Sequence, residues 1–372
     1  MGNTIDHNTD AVRVIASKDS WIEGEAIQQL QHVSKFEGIK YSVGLPDLHP
    51  GKGAPIGAAF FSVGHIYPFL VGNDIGCGMS LWQLDSKVRK IKIDKWVNRL
   101  MNDGIWQFPV GEHHDLSGFE YVDNIGTIGG GNHFAEIQSI SSVVDTALFE
   151  GLNLDKGRAF LLVHSGSRGL GERILRAHTE VYGAKGLPDT EADFQKYLEE
   201  HNQALLWAEI NRKVIAERFF QSLRLEGEQV LDIFHNSLTP ASLKGMNGFL
   251  HRKGAAPSDR GPVVIPGSRG SHSYLVQPLG DGELNGQSLA HGAGRKWKRS
   301  ECKARLDRKY SVEQLRRTKM GSRVICHDKN LLYEEAPEAY KQIEQVVQDL
   351  EEAGLVKVIC ILKPILTYKT GG

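Results

Sequence analysis

One segment of the chain places a carboxylate and a thiol three residues apart among glycines. Asp74 and Cys77 lie in the segment GNDIGCGM, where glycine allows the tight backbone turns that would bring both side chains to one ion. Taken alone, the segment is better explained as a glycine-rich turn with an inert cysteine, because a free cysteine usually behaves as a small buried hydrophobic residue. The pair predicts a metal site only if further ligands join it.

Three histidines supply candidates for those further ligands. His133 lies in GGGNHFAE, whereas His164 and His235 each follow directly on an apolar run. Each histidine taken singly is better explained as a structural residue, but all three together with Asp74 and Cys77 predict a metal site. Five ligands are too many for one tetrahedral catalytic zinc with an open position, so they suit two ions that share the Cys77 sulfur.

A further histidine lies in a loop of small residues, AHGAGR. Gly292 and Gly294 would let a phosphate approach the backbone closely, and Arg295 could hold it through two hydrogen bonds. His291 could then act as general base, as metal ligand, or as a nucleophile that forms a phosphoramidate. The nearby segment PGSRGSHSY is rich in small hydroxyl residues and could read a base or a ribose. Ordinary turns remain the alternative for both loops.

A strongly basic tract begins at the same loop. Residues 295–323 contain twelve Lys or Arg and only three acidic residues, with Trp297 and Tyr310 as possible stacking faces. A charge run is usually a solvated helix face, but this imbalance of sign favours a polyanionic partner. Arg168 and the segment HRKG, which is His251 to Gly254 and includes Lys253, could add phosphate contacts. Because the net charge of the chain is −1, any nucleic acid would have to bind to such a local patch.

The pattern of apolar residues predicts which elements position these groups. Strands are expected at residues 159–163, 230–234, 263–266 and 356–362, and long helices at residues 191–223 and 337–353. Thr190 and Asp193 could form a capping box at the first helix. If the segment after His133 is helical, Glu136 shares a face with it and could orient the ligand. The uneven alternation of strands and helices predicts a mixed α/β or α+β core, in one integrated domain over residues 1–372.

Composition narrows the class of protein. Hydrophobic residues make up 40% of the 372 residues, which is enough for a large core, and four cysteines are too few for a disulfide framework. The polar start MGNTIDHNTD lacks the features of a signal peptide, and no segment is apolar enough to predict a membrane span. We therefore expect a soluble, cytoplasmic protein without a membrane partner, whose thiols remain available to metals.

With these residues assembled, the chain resembles the RtcB family of RNA-splicing and RNA-repair ligases. The resemblance extends from about Gly44 to Lys369 and rests on segments in the family order: GLPDLHPGKG, DIGCGM, GGGNHFAE, HSGSRG, HN, HRKGA, PGSRGSHSY, HGAGR and EAPEAYK. It implies the family's own α/β fold, with a mixed β-sheet core surrounded by helices. It also implies two Mn²⁺ ions as cofactors together with GTP.

The resemblance also assigns residues to roles. The ligands of the two manganese ions would be Asp74, Cys77, His133, His164 and His235, and His291 would become guanylylated. Arg168, Lys253 and Arg295 would contact the RNA substrate. Tyr340 would lie near the guanine, and Lys369 would suit its acceptor atoms O6 and N7. The implied nucleotide pocket consists of Asn132, His133, Glu136, His235, Asn236, Pro266, Gly267, Ser268, Arg269, Ser273, His291, Gly292, Ala293, Gly294, Tyr340 and Lys369.

The implied reaction joins an RNA 3′-phosphate, or a 2′,3′-cyclic phosphate after opening, to a 5′-hydroxyl end. Two departures from the usual family pattern, AHGAGRKWKRSE and Arg269 in place of a common methionine, resemble the branch associated with release factor H. That branch is thought to repair cleaved RNA of the translation machinery. The metal ligands alone also suit a two-metal phosphatase or nuclease, and the basic tract alone suits a non-catalytic RNA-binding factor.

Overall fold

The computed structural model describes residues 11–102 and 105–370. The N-terminal segment on which the prediction about a signal peptide rests lies outside them. Within the described residues, the strands form four sheets. The strands are β1 Val12–Val14, β2 Ile39–His49, β3 Ile56–Ser62, β4 His65–Ile66, β5 Gly78–Lys87, β6 Phe134–Val143, β7 Arg158–Ser165, β8 Leu187–Pro188, β9 Gly227–Phe234, β10 Asn236–Leu243, β11 Met246–Lys253, β12 Ala255–Pro257, β13 Val263–Pro266, β14 Ser273–Pro278, β15 Ser288–Ala290, β16 Arg323–Cys326 and β17 Val356–Lys369.

Helices vary from one turn to 32 residues in length. The α-helices are α1 Gly24–Val33, α2 Ile93–Asn102, α3 Thr146–Gly151, α4 Gly169–Tyr182, α5 Ala192–Leu223, α6 Arg299–Leu306, α7 Val312–Leu315, α8 Lys329–Glu334 and α9 Ile343–Glu352. Short 3₁₀-helices lie at Pro68–Leu70, Val88–Lys90, Ile105–Gln107, Val122–Asn124 and Pro337–Ala339. Among the described residues, no helix has both the length and the apolar character needed to cross a bilayer.

The largest sheet has eight strands and is mixed. Seven follow the order β13-β14-β17-β6-β7-β5-β9 with antiparallel pairing, and β16 runs parallel to β17. All four predicted strands are confirmed, as parts of β7, β9, β13 and β17. The prediction for β17 was too short, because this strand continues to Lys369. The predicted mixed α+β class is confirmed.

Both faces of this sheet are covered. In β7, Phe160 and Leu162 point into one core, which contains α9 and the inner face of a second sheet. Leu161 and Val163 point into another core, against α2 and α5. This alternation follows from the two-residue period of a strand, and it explains why β7 is apolar without a break. The sheet is therefore held rigidly from both sides.

The second sheet has five strands, in the order β1-β2-β3-β11-β10. Strand β2 carries Asp47, and β11 ends at Lys253. Directly after β11, the short strand β12 pairs with β15, so that Ala255 lies opposite Ala290. This pairing brings His291, the residue that follows β15, to the junction of the two sheets.

Three local predictions were wrong. The helix expected at residues 337–353 is interrupted at Tyr340, whose backbone is extended, because the N–H of Lys341 donates to Gly294 O at 3.0 Å and not to a helical carbonyl. Helix α5 lacks the expected capping box, since Glu191 is its N-cap and makes no side-chain capping bond. Glu136 lies in strand β6 and not on a helix.

Candidate active site

Antiparallel pairing brings four of the predicted metal ligands to one edge of the large sheet. Strands β6, β7, β5 and β9 are consecutive neighbours, so the beginnings of β6 and β5 lie beside the ends of β7 and β9. His133 and Cys77 immediately precede β6 and β5, His164 lies near the end of β7, and His235 immediately follows β9. Residues far apart in the chain therefore meet at adjacent strand ends.

Each of the five predicted ligands lies within contact distance of at least one other. Sγ of Cys77 is 3.3 Å from Nε2 of His133 and 3.2 Å from Nε2 of His164. Nε2 of His164 is also 3.3 Å from Nε2 of His235, and Oδ2 of Asp74 is 2.9 Å from Nε2 of His133. The ligands form two groups of three, each with all ligand atoms within 4.8 Å, and Cys77 belongs to both groups.

The electrostatics of this cluster suit a cation. Burial lowers the pKa of His164 and of His235 well below the ordinary value, so both imidazoles are neutral, which is the form that binds metals. Burial likewise raises the pKa of the Cys77 thiol, and a bound cation would favour its thiolate. One carboxylate, one sulfur and three imidazoles are donors of the kinds found at transition-metal sites, so the residues present fit such a centre.

His291 lies beside this cluster and is held by a buried carboxylate. Its Nδ1 atom is 2.6 Å from Oδ2 of Asp47, and its backbone N–H donates to the same oxygen at 3.1 Å. Its ring centroid is 4.8 Å from that of His235. A Cβ atom at Gly254 would lie 2.9 Å from the His291 ring, so glycine is needed there for the ring to fit. Asp47 leaves Nε2 as the nitrogen of His291 that can act on a ligand.

A large cavity connects these groups. Its volume is about 1090 Å³, which is ample for a nucleotide, and it is lined by His291 and all five of the predicted metal ligands. Most of the other predicted site residues also line it, namely Asn132, Glu136, Asn236, Pro266, Gly267, Ser268, Arg269, Gly292, Ala293, Gly294, Tyr340, Lys369, Arg168, Lys253 and Arg295. Ser273 does not line it, because its buried hydroxyl accepts a hydrogen bond from Gln138 behind Glu136.

Several polar groups in the cavity wall are deeply buried. Nζ of Lys369 donates to His133 O at 2.8 Å, and burial lowers the pKa of Lys369 to about 8. Glu136 accepts hydrogen bonds from Gln138 and Thr367, and burial raises its pKa. Arg269 uses one nitrogen to bond Leu332 O, while its buried Nε and Nη1 atoms have no hydrogen-bond partner. Unpartnered buried donors of this kind are available to an acceptor from a bound ligand or from water.

The guanidinium of Arg295 is hydrogen-bonded to other groups of the protein. Its guanidinium donates to Glu335 at 3.0 Å, to the hydroxyl of Tyr340 at 3.0 Å and to the carbonyl oxygens of Glu334 and Trp297. The Tyr340 hydroxyl also bonds to Glu335. Arg295 therefore fixes Tyr340 at the cavity, and Glu335 is a site residue that sequence reasoning missed.

The HRKG segment, which could have supplied several phosphate contacts, supplies one residue to the cavity. His251 is buried and accepts a hydrogen bond from the Tyr67 N–H, while Arg252 is buried and bonds to Asp259 and to Ser288. The expectation of phosphate contacts is therefore wrong for these two residues. Lys253 does line the cavity, where it donates to Phe69 O at 3.0 Å, and burial lowers its pKa to about 8.

Helix α5 holds the turns that carry two of the predicted metal ligands. Arg212 donates to Gly76 O at 2.7 Å and to Ser165 O at 2.9 Å, the carbonyls next to Cys77 and His164, and it forms a buried ion pair with Asp232 of β9. Sequence reasoning missed Arg212. The one feature of the sequence that could have indicated its role is that Arg212 is a charged residue within the apolar stripe of a helix.

The basic tract lies at the mouth of the cavity. Residues 295–299 line that mouth, and most basic side chains of the tract are exposed. The guanidinium of Arg305 lies over the Trp297 ring at 5.0 Å, and the Tyr310 hydroxyl donates to Glu338 at 2.7 Å. The structure therefore places positive charge beside the site, although both predicted stacking residues already have partners within the protein.

These features define a candidate metal-dependent enzyme of the α+β class. The family model described as "tRNA-splicing ligase RtcB" matches residues 29–120 and 118–370. The protein named RNA-splicing ligase RtcB2 of Escherichia coli is 50% identical, over 100% of this chain and 99% of its own length. The protein named tRNA-splicing ligase RtcB of Nanoarchaeum equitans is 30% identical, over 96% of this chain and 95% of its own length. The protein of the same name in Archaeoglobus fulgidus is 29% identical, over 92% of this chain and 91% of its own length. The chain belongs to the RtcB family of RNA-splicing ligases.

Proposed function

We propose that this chain is a GTP- and Mn²⁺-dependent RNA ligase, which joins a 3′-phosphate or 2′,3′-cyclic phosphate end to a 5′-hydroxyl end. The observation that carries the proposal is the placement of His291. Its Nδ1 atom is held by Asp47 at 2.6 Å, and its ring packs against His235 of the five-ligand cluster. A hydrolase that uses the same metals needs no such nucleophile, because water would take that role.

Asp74, Cys77, His133, His164 and His235 would hold the two ions, and Cys77 belongs to both groups of candidate ligands. When bound, the ions would neutralise charge on phosphate oxygens during each displacement. Because the ligand set mixes hard and soft donors, the choice of Mn²⁺ rests on the family and not on the donors.

The proposed reaction has three steps. Nε2 of His291 attacks the α-phosphorus of GTP, so that a P–N bond forms, pyrophosphate leaves and Asp47 stabilises the positive imidazole. An oxygen of the RNA 3′-phosphate then takes the GMP group, and His291 becomes free again. Finally the 5′-hydroxyl oxygen attacks the RNA phosphorus, which forms the new phosphodiester and releases GMP.

The deep part of the cavity would select the nucleotide. Lys369 is a donor suited to guanine O6 or N7, and the carboxylate of Glu136 is an acceptor suited to guanine N–H groups. Arg269 offers its two unpartnered nitrogens, and Tyr340 is fixed nearby by Arg295. The small residues from Gly292 to Gly294 leave space for phosphates beside His291.

RNA would enter across the basic mouth of the cavity. The exposed side chains of residues 296–319 would meet the phosphate backbone, and Arg168 and Lys253 would contact phosphates closer to the metals. In this reading residues 1–372 act as one catalytic domain, because the groups involved span Asp47 to Lys369. The four cysteines are all buried and unpaired, which supports a reducing compartment such as the cytoplasm. The AHGAGRKWKRSE segment at this mouth supports a functional link to release factor H.

A sealing assay tests the proposal. The substrate is an RNA with a 3′-phosphate or cyclic phosphate and a 5′-hydroxyl, supplied with each nucleoside triphosphate and each divalent metal in turn. Joining that requires both GTP and Mn²⁺ is the expected result. Loss of the terminal phosphate or strand cleavage without joining would instead identify a two-metal phosphatase or nuclease. Tight RNA binding that survives chelation, without turnover, would identify an RNA-binding factor.

A further inference from the structure

A second group of metal-binding side chains lies outside the cavity. Nε2 of His113 and Nε2 of His114 are each 3.0 Å from Oε1 of Glu217, and Oε2 of Glu217 is also 3.0 Å from His114. The ligand atoms of all three residues lie within 4.8 Å of one another. None of the three lines the cavity of the candidate active site. We propose that His113, His114 and Glu217 form a separate binding site for a divalent transition-metal ion of the zinc type.

The donor set suits that class of ion. Two imidazole nitrogens and one carboxylate oxygen are the protein ligands of a common zinc arrangement, in which water completes the coordination. By the usual order of affinities, such a nitrogen-rich site prefers Co²⁺, Ni²⁺, Cu²⁺ or Zn²⁺ to Mn²⁺. The site would therefore be selective against the metal proposed for the cavity.

The local backbone brings the two adjacent imidazoles onto the same carboxylate. Their ring centroids are only 4.2 Å apart. A Cβ atom at Gly111 would lie 2.4 Å from Cε1 of His113, so a residue without a side chain is needed for that ring to fold back. The side chain of His114 is 8% exposed and that of His113 is 67% exposed. One ligand is thus anchored in the protein, and the other faces the solvent from which an ion would arrive.

An ion at this site would join two parts of the protein that matter to the cavity. Glu217 lies on α5, the helix whose Arg212 holds the turns of Cys77 and His164. The two histidines lie on the segment that leads to Gly126 and then to His133. The next residue of α5, Arg218, already donates to Phe108 O and Gly126 O on either side of that segment. A bound ion would strengthen this attachment without entering the chemistry of the cavity.

Cobalt titration of the full chain tests the proposal, because Co²⁺ reports its ligands through its spectrum. Co²⁺ bound to Cys77 gives a thiolate charge-transfer band in the near ultraviolet, whereas Co²⁺ held by His and Glu gives only weak visible bands. The variants are Glu217→Gln, which keeps the shape of the side chain, and His113→Gln combined with His114→Gln. Glu209→Gln is the control, because Glu209 lies on the same helix and pairs with Lys213.

We expect the wild type and Glu209→Gln to bind one more equivalent of Co²⁺ than Glu217→Gln, while the thiolate band keeps its full intensity in all three. Zn²⁺ should also raise the unfolding temperature of a Cys77→Ala protein, and this rise should become smaller when Glu217→Gln is added but not when Glu209→Gln is added. Equal stoichiometry in the wild type and Glu217→Gln would overturn the proposal. It would show that the three residues form only an ordinary ion pair.

Discussion

Oδ2 of Asp47 lies 2.6 Å from Nδ1 of His291 and also accepts the backbone N–H of that histidine, although the two residues are 244 positions apart in the chain. Asp47 is fully buried in β2 of the five-stranded sheet, and His291 follows β15. The carboxylate therefore lies against Nδ1, so that Nε2 is the ring nitrogen left to attack a phosphorus atom in the proposed reaction.

Replacing Asp47 with Asn should impair guanylylation of His291. An amide N–H that donated to Nδ1 would move the ring proton to Nε2, and a neutral amide would not stabilise the positive imidazole. We expect the rate of guanylylation to fall on the order of 10³- to 10⁴-fold, as for other carboxylates that fix a histidine tautomer. Rapid-quench labelling with GTP measures this rate.

Asp94→Asn is the control for this substitution, because Asp94 is an exposed residue whose partner is Arg323. It should react at the wild-type rate. If Asp47→Asn keeps the wild-type rate as well, Asp47 does not position the nucleophile.

Arg212→Met should destabilise the protein and weaken metal binding together. The substitution leaves Asp232 as an unpaired buried charge and removes the donors to Gly76 O and Ser165 O. Breaking a buried ion pair in this way costs about 3–5 kcal/mol of unfolding free energy. Denaturant unfolding and Mn²⁺ titration measure the two effects. Lys213→Met is the control, since its surface pair with Glu209 is worth only about 0–1 kcal/mol.

A double variant separates the two roles of Arg212. Adding Asp232→Asn to Arg212→Met should recover part of the lost stability, because the unpaired buried charge is gone. It should not recover the metal affinity, because the carbonyl groups next to Cys77 and His164 still lack the hydrogen bonds from Arg212. Full recovery of Mn²⁺ affinity in the double variant would show that Arg212 has no positioning role.

The sequence indicated which candidate ligands lie together better than it indicated the groups that position them. Candidate ligands such as His164 could be selected because metal chemistry restricts residue type, and because polar residues at the ends of apolar strands are conspicuous. Asp47 and Arg212 act on partners that only the folded sheets bring near, so no spacing in the sequence reveals them. The break at Tyr340 has a similar origin, since the backbone of Lys341 bonds to Gly294 O, a long-range contact that overrides a good local helix pattern.

Nucleotide affinity should fall as the pH rises through about 8. Burial lowers the pKa of Lys369 to about 8, so its side chain is a charged donor below that pH and a neutral amine above it. A hydrogen bond from a charged group contributes about 1.5–3 kcal/mol, so Lys369→Met should bind GTP at least about tenfold more weakly at pH 7. Displacement of a fluorescent GTP analogue measures both effects.

Comparison with Lys369→Met isolates the contribution of Lys369 to the pH dependence of nucleotide affinity. Ionisation of guanine itself, or of Lys253, would weaken binding equally in the two proteins. The fall in nucleotide affinity that is due to Lys369 is the part that occurs in the wild type and not in Lys369→Met. Parallel pH profiles for the wild type and Lys369→Met would mean that Lys369 does not contact the nucleotide.

Cys77→Ala should abolish sealing without unfolding the protein. Its sulfur belongs to both ligand groups, so its loss should reduce the binding of both ions. Mn²⁺ should raise the unfolding temperature of the wild type but not that of the variant, because only a bound ligand stabilises the native state. Cys360→Ala is the matched control, since Cys360 is equally buried but lies in β17 away from the cavity lining. A metal-replete, active Cys77→Ala would rule out the shared sulfur.

The most direct measurement is to incubate the protein with Mn²⁺ and GTP labelled at the α-phosphate, and to locate the label by peptide mapping. We predict an acid-labile GMP group on His291, which is absent from His291→Ala although that variant still binds Mn²⁺. Label that persists in His291→Ala, or that maps to another residue of the wild type, would contradict the account.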